Sequence, residues 1–275
     1  MTISRDGAIA RTLLGLTRAL GHALVSEEVA RQPGLLQALD PRARVIGMLA
    51  LVLAVTLAHR IIVVVALFAA SVLLALLSRV SLATLASRVW LVVLFFTGGI
   101  ALPALFLTPG DPLVSSPGGA LRITAQGLTA ASLLIARVET AVTLTTLLVL
   151  TTPWMQILKA LRVFHVPQEV VMMLAMTHRY VFLLVETASQ MFESRQSRTV
   201  GVLDRASQRR MTARTAGVLL SKSVELSNEV FLAMQSRGFR GEAKVLSELR
   251  MRSWDYIGLA VFLLAGIAAV WIGRS

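Results

Sequence analysis

The 275-residue chain contains no cysteine. That excludes disulfide staples, thiolate nucleophiles and Cys-ligated metal centres, and leaves the redox compartment unread. Charge is also scarce, at 15% of residues, and aromatics make up only 6%. No GxxxxGK[ST] phosphate loop occurs, so any ATP hydrolysis must reside in another polypeptide. His22, His59, His165 and His178 are scattered, with neither an HExxH helix nor a paired-carboxylate arrangement, so no metal site or hydrolytic centre is expected in this chain. A cleavable leader is not legible, because Arg5, Arg11, Arg18, Glu27, Glu28 and Arg31 interrupt every apolar run within 1–39.

What fills the space is apolar surface: 56% of residues are hydrophobic and the mean hydropathy is +0.74. This is the composition of an all-α polytopic membrane protein. The net charge of +12 comes with arginines that flank apolar spans, which fits the positive-inside rule rather than nucleic-acid binding. Within 1–39, Ile9, Leu13, Leu16, Leu20 and Leu24 recur at helical steps. They form an apolar stripe on a cationic helix that either lies on the inner membrane surface or packs against the protein.

Apolar length predicts five spans, at 43–58, 61–77, 89–107, 127–151 and 256–272. One helix over 45–77 would run to roughly 50 Å, too long for a hydrocarbon core of about 30 Å, so a tight helical hairpin broken at His59-Arg60 is expected. Arg31, Arg42 and Arg44 before the first span, with Arg79 and Arg88 after the second, place those flanks and the N-terminus in the cytoplasm. Gly98-Gly99 and Pro103 in the third span are expected to allow close helix approach and a local break. Arg137 and Glu139 sit near the middle of the fourth span, as an intramembrane polar site. Two residues apart on one helix, they are not read as a mutual ion pair. They serve either structure, through a partner helix or by snorkelling, or substrate passage; a break at Arg137 would make six spans.

From 152 to 253 the chain becomes polar, and Lys and Arg outnumber Asp and Glu. Leu174, Val181, Leu184, Val185, Ala188 and Met191 predict an amphipathic helix over 168–198, and Ala216, Leu220, Val224, Ser227, Phe231 and Met234 a second over 208–237. Met172, Met173 and Met176 read as core or groove-facing side chains. Each helix ends in a small-Arg-small triplet, Ser197-Arg198-Thr199 and Ser236-Arg237-Gly238. The helix dipole alone favours arginine there, but small neighbours also leave a five-donor fork free to pair a carboxylate in a groove.

Four ordered segments carry a family likeness: Leu39-Asp40-Pro41-Arg42; Leu148-Val149-Leu150-Thr151-Thr152-Pro153 with Leu158-Lys159-Ala160-Leu161 and Val166-Pro167; Arg179-Tyr180-Val181-Phe182 through Glu186-Thr187-Ala188; and Ala233-Met234-Gln235-Ser236-Arg237-Gly238-Phe239-Arg240-Gly241. With these the chain resembles the transmembrane coupling subunit, or T component, of energy-coupling factor (ECF) type ABC transporters, in its cobalt-type branch.

Span length and flank charge predict an N-terminal cytoplasmic segment at 1–39, transmembrane helices at 40–151, a cytoplasmic domain at 152–253, which the resemblance makes a coupling domain, and a final transmembrane helix at 254–275. The resemblance implies a non-catalytic subunit in a bacterial inner membrane whose partners are two cytoplasmic ABC ATPase subunits, a substrate-binding integral membrane subunit and a small accessory membrane subunit. ATP and magnesium would be bound by the ATPases, and no cofactor by this chain. It also gives ATPase-coupling roles to Ser197, Arg198, Thr199, Ser236, Arg237 and Gly238. Thr199 departs from the glycine common at its position, and Arg195, one turn earlier, is a rival to Arg198. Cobalt is the cargo implied, with nickel or a vitamin such as biotin as alternatives. A stand-alone secondary transporter using Arg137 and Glu139 is the reading from another class.

Overall fold

A computed structural model describes residues 15, 34–108, 112–115, 122–198, 204–240 and 251–274. The N-terminal stripe expected at Ile9 to Leu24, together with Thr199 and Gly241, lies outside the described residues. The chain divides into two compact units, the larger formed by Ser26–Ala160 with Leu249–Ser275 and the smaller by Met1–Val25 with Leu161–Glu248.

In the larger unit α1 (Pro41–Leu57) starts where Pro41 presets the first turn and the Asp40 carboxylate accepts from the Arg42 amide at 2.9 Å. It ends at Ala58, whose extended backbone turns the chain into α2 (Ile61–Leu77). A single turn at Leu82–Leu85 and a π-turn at Ala86–Trp90 lead into α3 (Leu91–Leu107). A small antiparallel hairpin follows, β1 (Pro112–Ser115) against β2 (Arg122–Thr124), with Val114 opposite Ile123. Thr124 then caps α4 (Ala125–Thr151) by accepting from the Gly127 amide at 3.0 Å, while its hydroxyl donates to the Thr108 carbonyl. Short α5 (Trp154–Leu161) and, later, α8 (Ser253–Arg274) complete the unit.

The break between 57 and 61 is where apolar length put it, but α1 and α2 are not a packed hairpin. Instead α4 lies against α1, α2 and α3, and α8 covers α1. Met48, Leu51, Val55, Leu144, Leu147, Phe262 and Ala269 are buried in this core. Buried hydroxyls of α4 are satisfied on the same helix: Thr140, Thr143 and Thr151 each donate to the carbonyl one turn back. Such internal pairing suits a helix with no water to turn to.

Close helix approach occurs where it was not expected. A Cβ on Gly98 or Gly99 would meet nothing within 4 Å, and α3 continues through Pro103 without a break. The tight contact is between α1 and α8, where a Cβ on Gly47 would stand 2.5 Å from Phe262 and one on Gly273 would stand 3.1 Å from the Ala58 backbone.

The smaller unit contains α6 (Gln168–Arg198), reached through a 3-10 turn at Arg162–Phe164 and a left-handed His165, and α7 (Arg205–Ser236), which packs against it. Asp204 caps α7. Hydrogen bonds from the Ser207 side chain and amide hold its carboxyl below the ordinary value. By length and apolar composition three helices suffice to cross a membrane, Ala125–Thr151, Gln168–Arg195 and Ser253–Arg274, with Ile61–Leu77 and Leu91–Pro103 as shorter apolar helices. The protein is thus a polytopic, all-α membrane protein apart from its small hairpin. The stretch Gln168–Arg195 of α6, read as amphipathic from its periodicity, is itself long and apolar enough to span.

The Gly47–Phe262 contact sets a stability test. Gly47→Ala forces Phe262 aside and is expected to cost about 1–3 kcal/mol; adding Phe262→Leu should recover much of it. Thermal unfolding of the two variants in detergent checks this, and equal melting temperatures for Gly47→Ala and the wild type would refute the contact.

Candidate functional site

Arg237 occupies the C-cap of α7 and is exposed. The helix ends there because Gly238, at φ +82°, takes the left-handed conformation that L side chains resist. Its amide donates to the Gln235 carbonyl at 2.9 Å and the Phe239 amide to the Met234 carbonyl at 3.0 Å. These two bonds make a Schellman motif, which closes the helix without using any side chain. The Ser236 hydroxyl donates back to the Ala233 carbonyl at 3.0 Å. Every part of the second triplet except the guanidinium is therefore committed to building a helix end, and the fork stands outward.

The first triplet is at the end of α6, where Arg198 is the last helical residue and is exposed; the Ser197 hydroxyl donates to the Ser194 carbonyl at 2.9 Å. Arg195, one turn earlier, is only half-exposed and is engaged within the protein. The two arginine ends are well separated. A 32-residue α7 spans about 47 Å at 1.5 Å per residue, whereas the seven-residue step from Arg198 to Arg205 covers at most about 25 Å. The Cα atoms of Arg198 and Arg237 are consequently at least about 20 Å apart, the spacing of two contact points rather than one.

The apolar row foreseen on α7 is not buried in this chain. Leu220, Val224 and Phe231 are exposed, as are Val218 and Leu232. The inward positions are Thr215, fully buried, with Leu219, Leu226 and Val230 half-buried. On α6, Ala188 and Phe192 are buried, while Val170, Met173, Leu174, Val181 and Leu183 are exposed.

Arg137 and Glu139 are not brought together. Arg137 of α4 donates to the Ala58 carbonyl at 2.7 Å, satisfying the last acceptor of α1. The next residue, His59, donates its amide to the Gly273 carbonyl at 3.2 Å. Glu139 is buried, and neither carboxylate oxygen has a hydrogen-bond partner among the described residues.

Residue-type reasoning missed a second polar cluster. Arg44, counted above as a flanking charge, is fully buried. Its guanidinium donates to the Thr151 carbonyl, to the Thr152 hydroxyl at 3.0 Å and to the Leu39 carbonyl at 2.7 Å. Asp255 is also buried and accepts from the Asp40 amide and the Arg252 amide, both at 2.7 Å. A signal was present: Arg44 shares a helical face with Met48, Leu51 and Val55, and Asp255 with Phe262, Gly266, Ala269 and Gly273.

These segments coincide with what is shared with known proteins. Residues 34–247, most of the chain, match the family model described as CbiQ, cobalt transport protein. An uncharacterized protein of Methanocaldococcus jannaschii is 28% identical over 260 residues, covering 93% of this chain and 89% of its own. The cobalt transport protein CbiQ of Rhodobacter capsulatus is 30% identical over 174 residues, 62% of this chain and 70% of its own. The nickel permease LarQ of Lactiplantibacillus plantarum is 32% identical over 124 residues, 45% of this chain and 42% of its own. With its matched region running from the turn before the Leu39-Asp40-Pro41-Arg42 segment to beyond the second arginine triplet, this chain belongs to the CbiQ family of cobalt transport proteins, as an integral membrane component of transport.

Proposed function

We propose that this chain is the transmembrane coupling subunit of an ECF-type ABC importer, itself non-catalytic, with cobalt as the cargo of the complex. One observation carries the reading. Two long helices of one unit end in outward arginines set apart as two contact points, and α7 keeps an apolar row exposed. An exposed apolar row on a long helix is the form of a helix-in-groove partner surface. An arginine at its end adds a fork suited to a carboxylate.

In this reading two cytoplasmic ATPase subunits receive Arg198 and Arg237, and hold the ATP and magnesium. Their closing and opening shifts α6 and α7, and the larger unit passes the motion to a separate membrane subunit that captures the metal, with a small accessory membrane subunit completing the complex. The arginine ends of α6 and α7 are accordingly cytoplasmic, as is the N-terminus, and the membrane is a bacterial inner membrane. Nickel is the second cargo, favoured by the likeness to the nickel permease. The carrier reading is weakened by Arg137, whose fork is occupied by a helix-end carbonyl.

The arginine roles can be measured on the assembled complex. Arg237→Ala removes a charge-assisted pair worth about 1.5–3 kcal/mol and should reduce ATPase co-purification and uptake while the chain still inserts. Arg237→Lys should restore only part of either. Parallel Arg195→Ala and Arg198→Ala variants identify the first contact as the one that fails likewise. Wild-type uptake in Arg237→Ala would sink the proposal. Metal accumulation in cells expressing the whole set separates cobalt from nickel.

Gly238→Ala tests the helix end itself. A Cβ there meets nothing within 4 Å, so the whole penalty is the left-handed backbone, about 1–2 kcal/mol. Faster hydrogen exchange at the Gly238 and Phe239 amides, with little change in global unfolding, is the expected result.

A further inference from the structure

In the larger unit, α8 is 22 residues long and rises about 33 Å, close to the roughly 30 Å of a bilayer's hydrocarbon core, so its two ends sit at the two membrane–water interfaces. Exposed aromatic side chains mark both, Trp254 and Tyr256 at the start and Trp271 at the end. α1 lies alongside and runs in the same direction. The Asp40 amide, just before α1, donates to Asp255, and the His59 amide, just after it, donates to the Gly273 carbonyl. The start of α1 is therefore level with the headgroups that Trp254 and Tyr256 meet.

Arg42, in the first turn of α1, heads an outward stripe. Ile46, Leu49 and Leu53 follow it at helical steps, the isoleucine half-buried and both leucines exposed. Arg42 is itself half-buried, and its Nε, shielded from solvent, has no hydrogen-bond partner among the described residues. Exposed Arg252 is brought to the same place, because Asp255 accepts the Arg252 amide on one carboxylate oxygen and the Asp40 amide on the other, both at 2.7 Å. The acids here are turned away from the arginines: Asp40 and Asp255 are buried, and their carboxylates accept backbone amides. A third cation is kept near this level. The Leu36 amide and the Gln37 side chain donate to Ser78, and the next residue, Arg79, is exposed in the left-handed conformation (φ 56°) that only glycine takes freely.

We propose that Arg42 and Arg252 bind the phosphate of an anionic phospholipid whose acyl chains lie along Ile46, Leu49 and Leu53, with Arg79 adding its charge at the same end. The planar forks match phosphate oxygens, and basic sites at the ends of packed membrane helices suit such headgroups. A lipid is favoured over a soluble anion because the cations head an apolar stripe: a headgroup with its chains uses both, in that order, whereas a free phosphate uses only the first. The inference needs only that the larger unit spans the bilayer, and does not rest on the coupling role.

The test titrates the delipidated full-length chain in detergent with phosphatidylglycerol or phosphatidylcholine, counting bound lipid by native mass spectrometry and following the melting temperature. The wild type should prefer phosphatidylglycerol and be stabilised by it. In the Arg42→Gln/Arg252→Gln double variant the affinity for phosphatidylglycerol should fall by about tenfold, the equivalent of one lost charge-assisted hydrogen bond, with phosphatidylcholine binding and lipid-free melting unchanged. Arg252→Gln alone, at an exposed side chain, should give a smaller loss and guards against misfolding of the double variant. Arg60→Gln and Arg274→Gln, at exposed positions of the opposite ends of α1 and α8, should bind as the wild type does. Equal affinity for phosphatidylglycerol in wild type and double variant overturns the site, as does a loss shared by phosphatidylcholine or by the opposite-end variants. Competition by glycerol phosphate as effective as that by the lipid would overturn it in favour of a soluble anion.

Discussion

The buried guanidinium of Arg44 is the constraint on which the arrangement of the larger unit depends. A charge at a helix start among Met48, Leu51 and Val55 is tolerated only if its donors find acceptors as it is enclosed. The acceptors come from two distant places, the Leu39 carbonyl and the Thr151-Thr152 end of α4. Enclosing Arg44 thus fixes where α1 begins relative to where α4 ends. Asp255 adds the start of α8 through the same peptide bond. Three helix ends are brought together by polar contacts, while small residues set how closely the helices approach. At Gly47 α8 comes so near α1 that a Cβ would collide with Phe262, and at Gly273 a Cβ would press on Ala58.

Local features were legible in the sequence and tertiary ones were not. The bounds of α2 and α6 coincide with the expected 61–77 and 168–198, because apolar length and helical period are properties of a short stretch. Which glycine is approached is a property of two stretches. Gly98-Gly99 looked like a packing motif yet faces open space, while isolated Gly47 meets Phe262. The hairpin misled for the same reason: the break at His59-Arg60 is real, but a break does not say which helix fills the space beside it. Arg44 was obscured by a rule about charge in flanks, although its position on the buried face of α1 was already readable.

The arginine triplets illustrate how far residue type reaches. Glycine at 238 could be anticipated as a stop, and the structure supplies its physical reason in a left-handed cap with two backbone bonds. The row Leu220, Val224 and Phe231 was equally legible as apolar, but periodicity does not distinguish a face that packs inside from one that waits for a partner. In this chain the face carrying Thr215, Leu219, Leu226 and Val230 turns inward, and Leu220, Val224 and Phe231 turn out. A helix with apolar side chains on both faces leaves one apolar row for something else. That second row supports a partner surface better than the triplets do alone.

The same accounting bears on the carrier alternative. A path for substrate or protons through α4 would have to use Arg137 and Glu139 together, yet residues two apart on a helix face different neighbours. Arg137 is committed to the Ala58 carbonyl, where it closes α1 and holds the turn into α2. Removing it would expose a helix-end acceptor before it altered any path. Only Glu139 is left for cargo chemistry, since no partner holds its carboxylate among the described residues. A single unpartnered acid offers one acceptor group to a metal ion that seeks several oxygen or nitrogen ligands. In the coupling reading proposed above, metal selection belongs to another subunit, and Arg44, Arg137 and Asp255 serve as ties between helix ends.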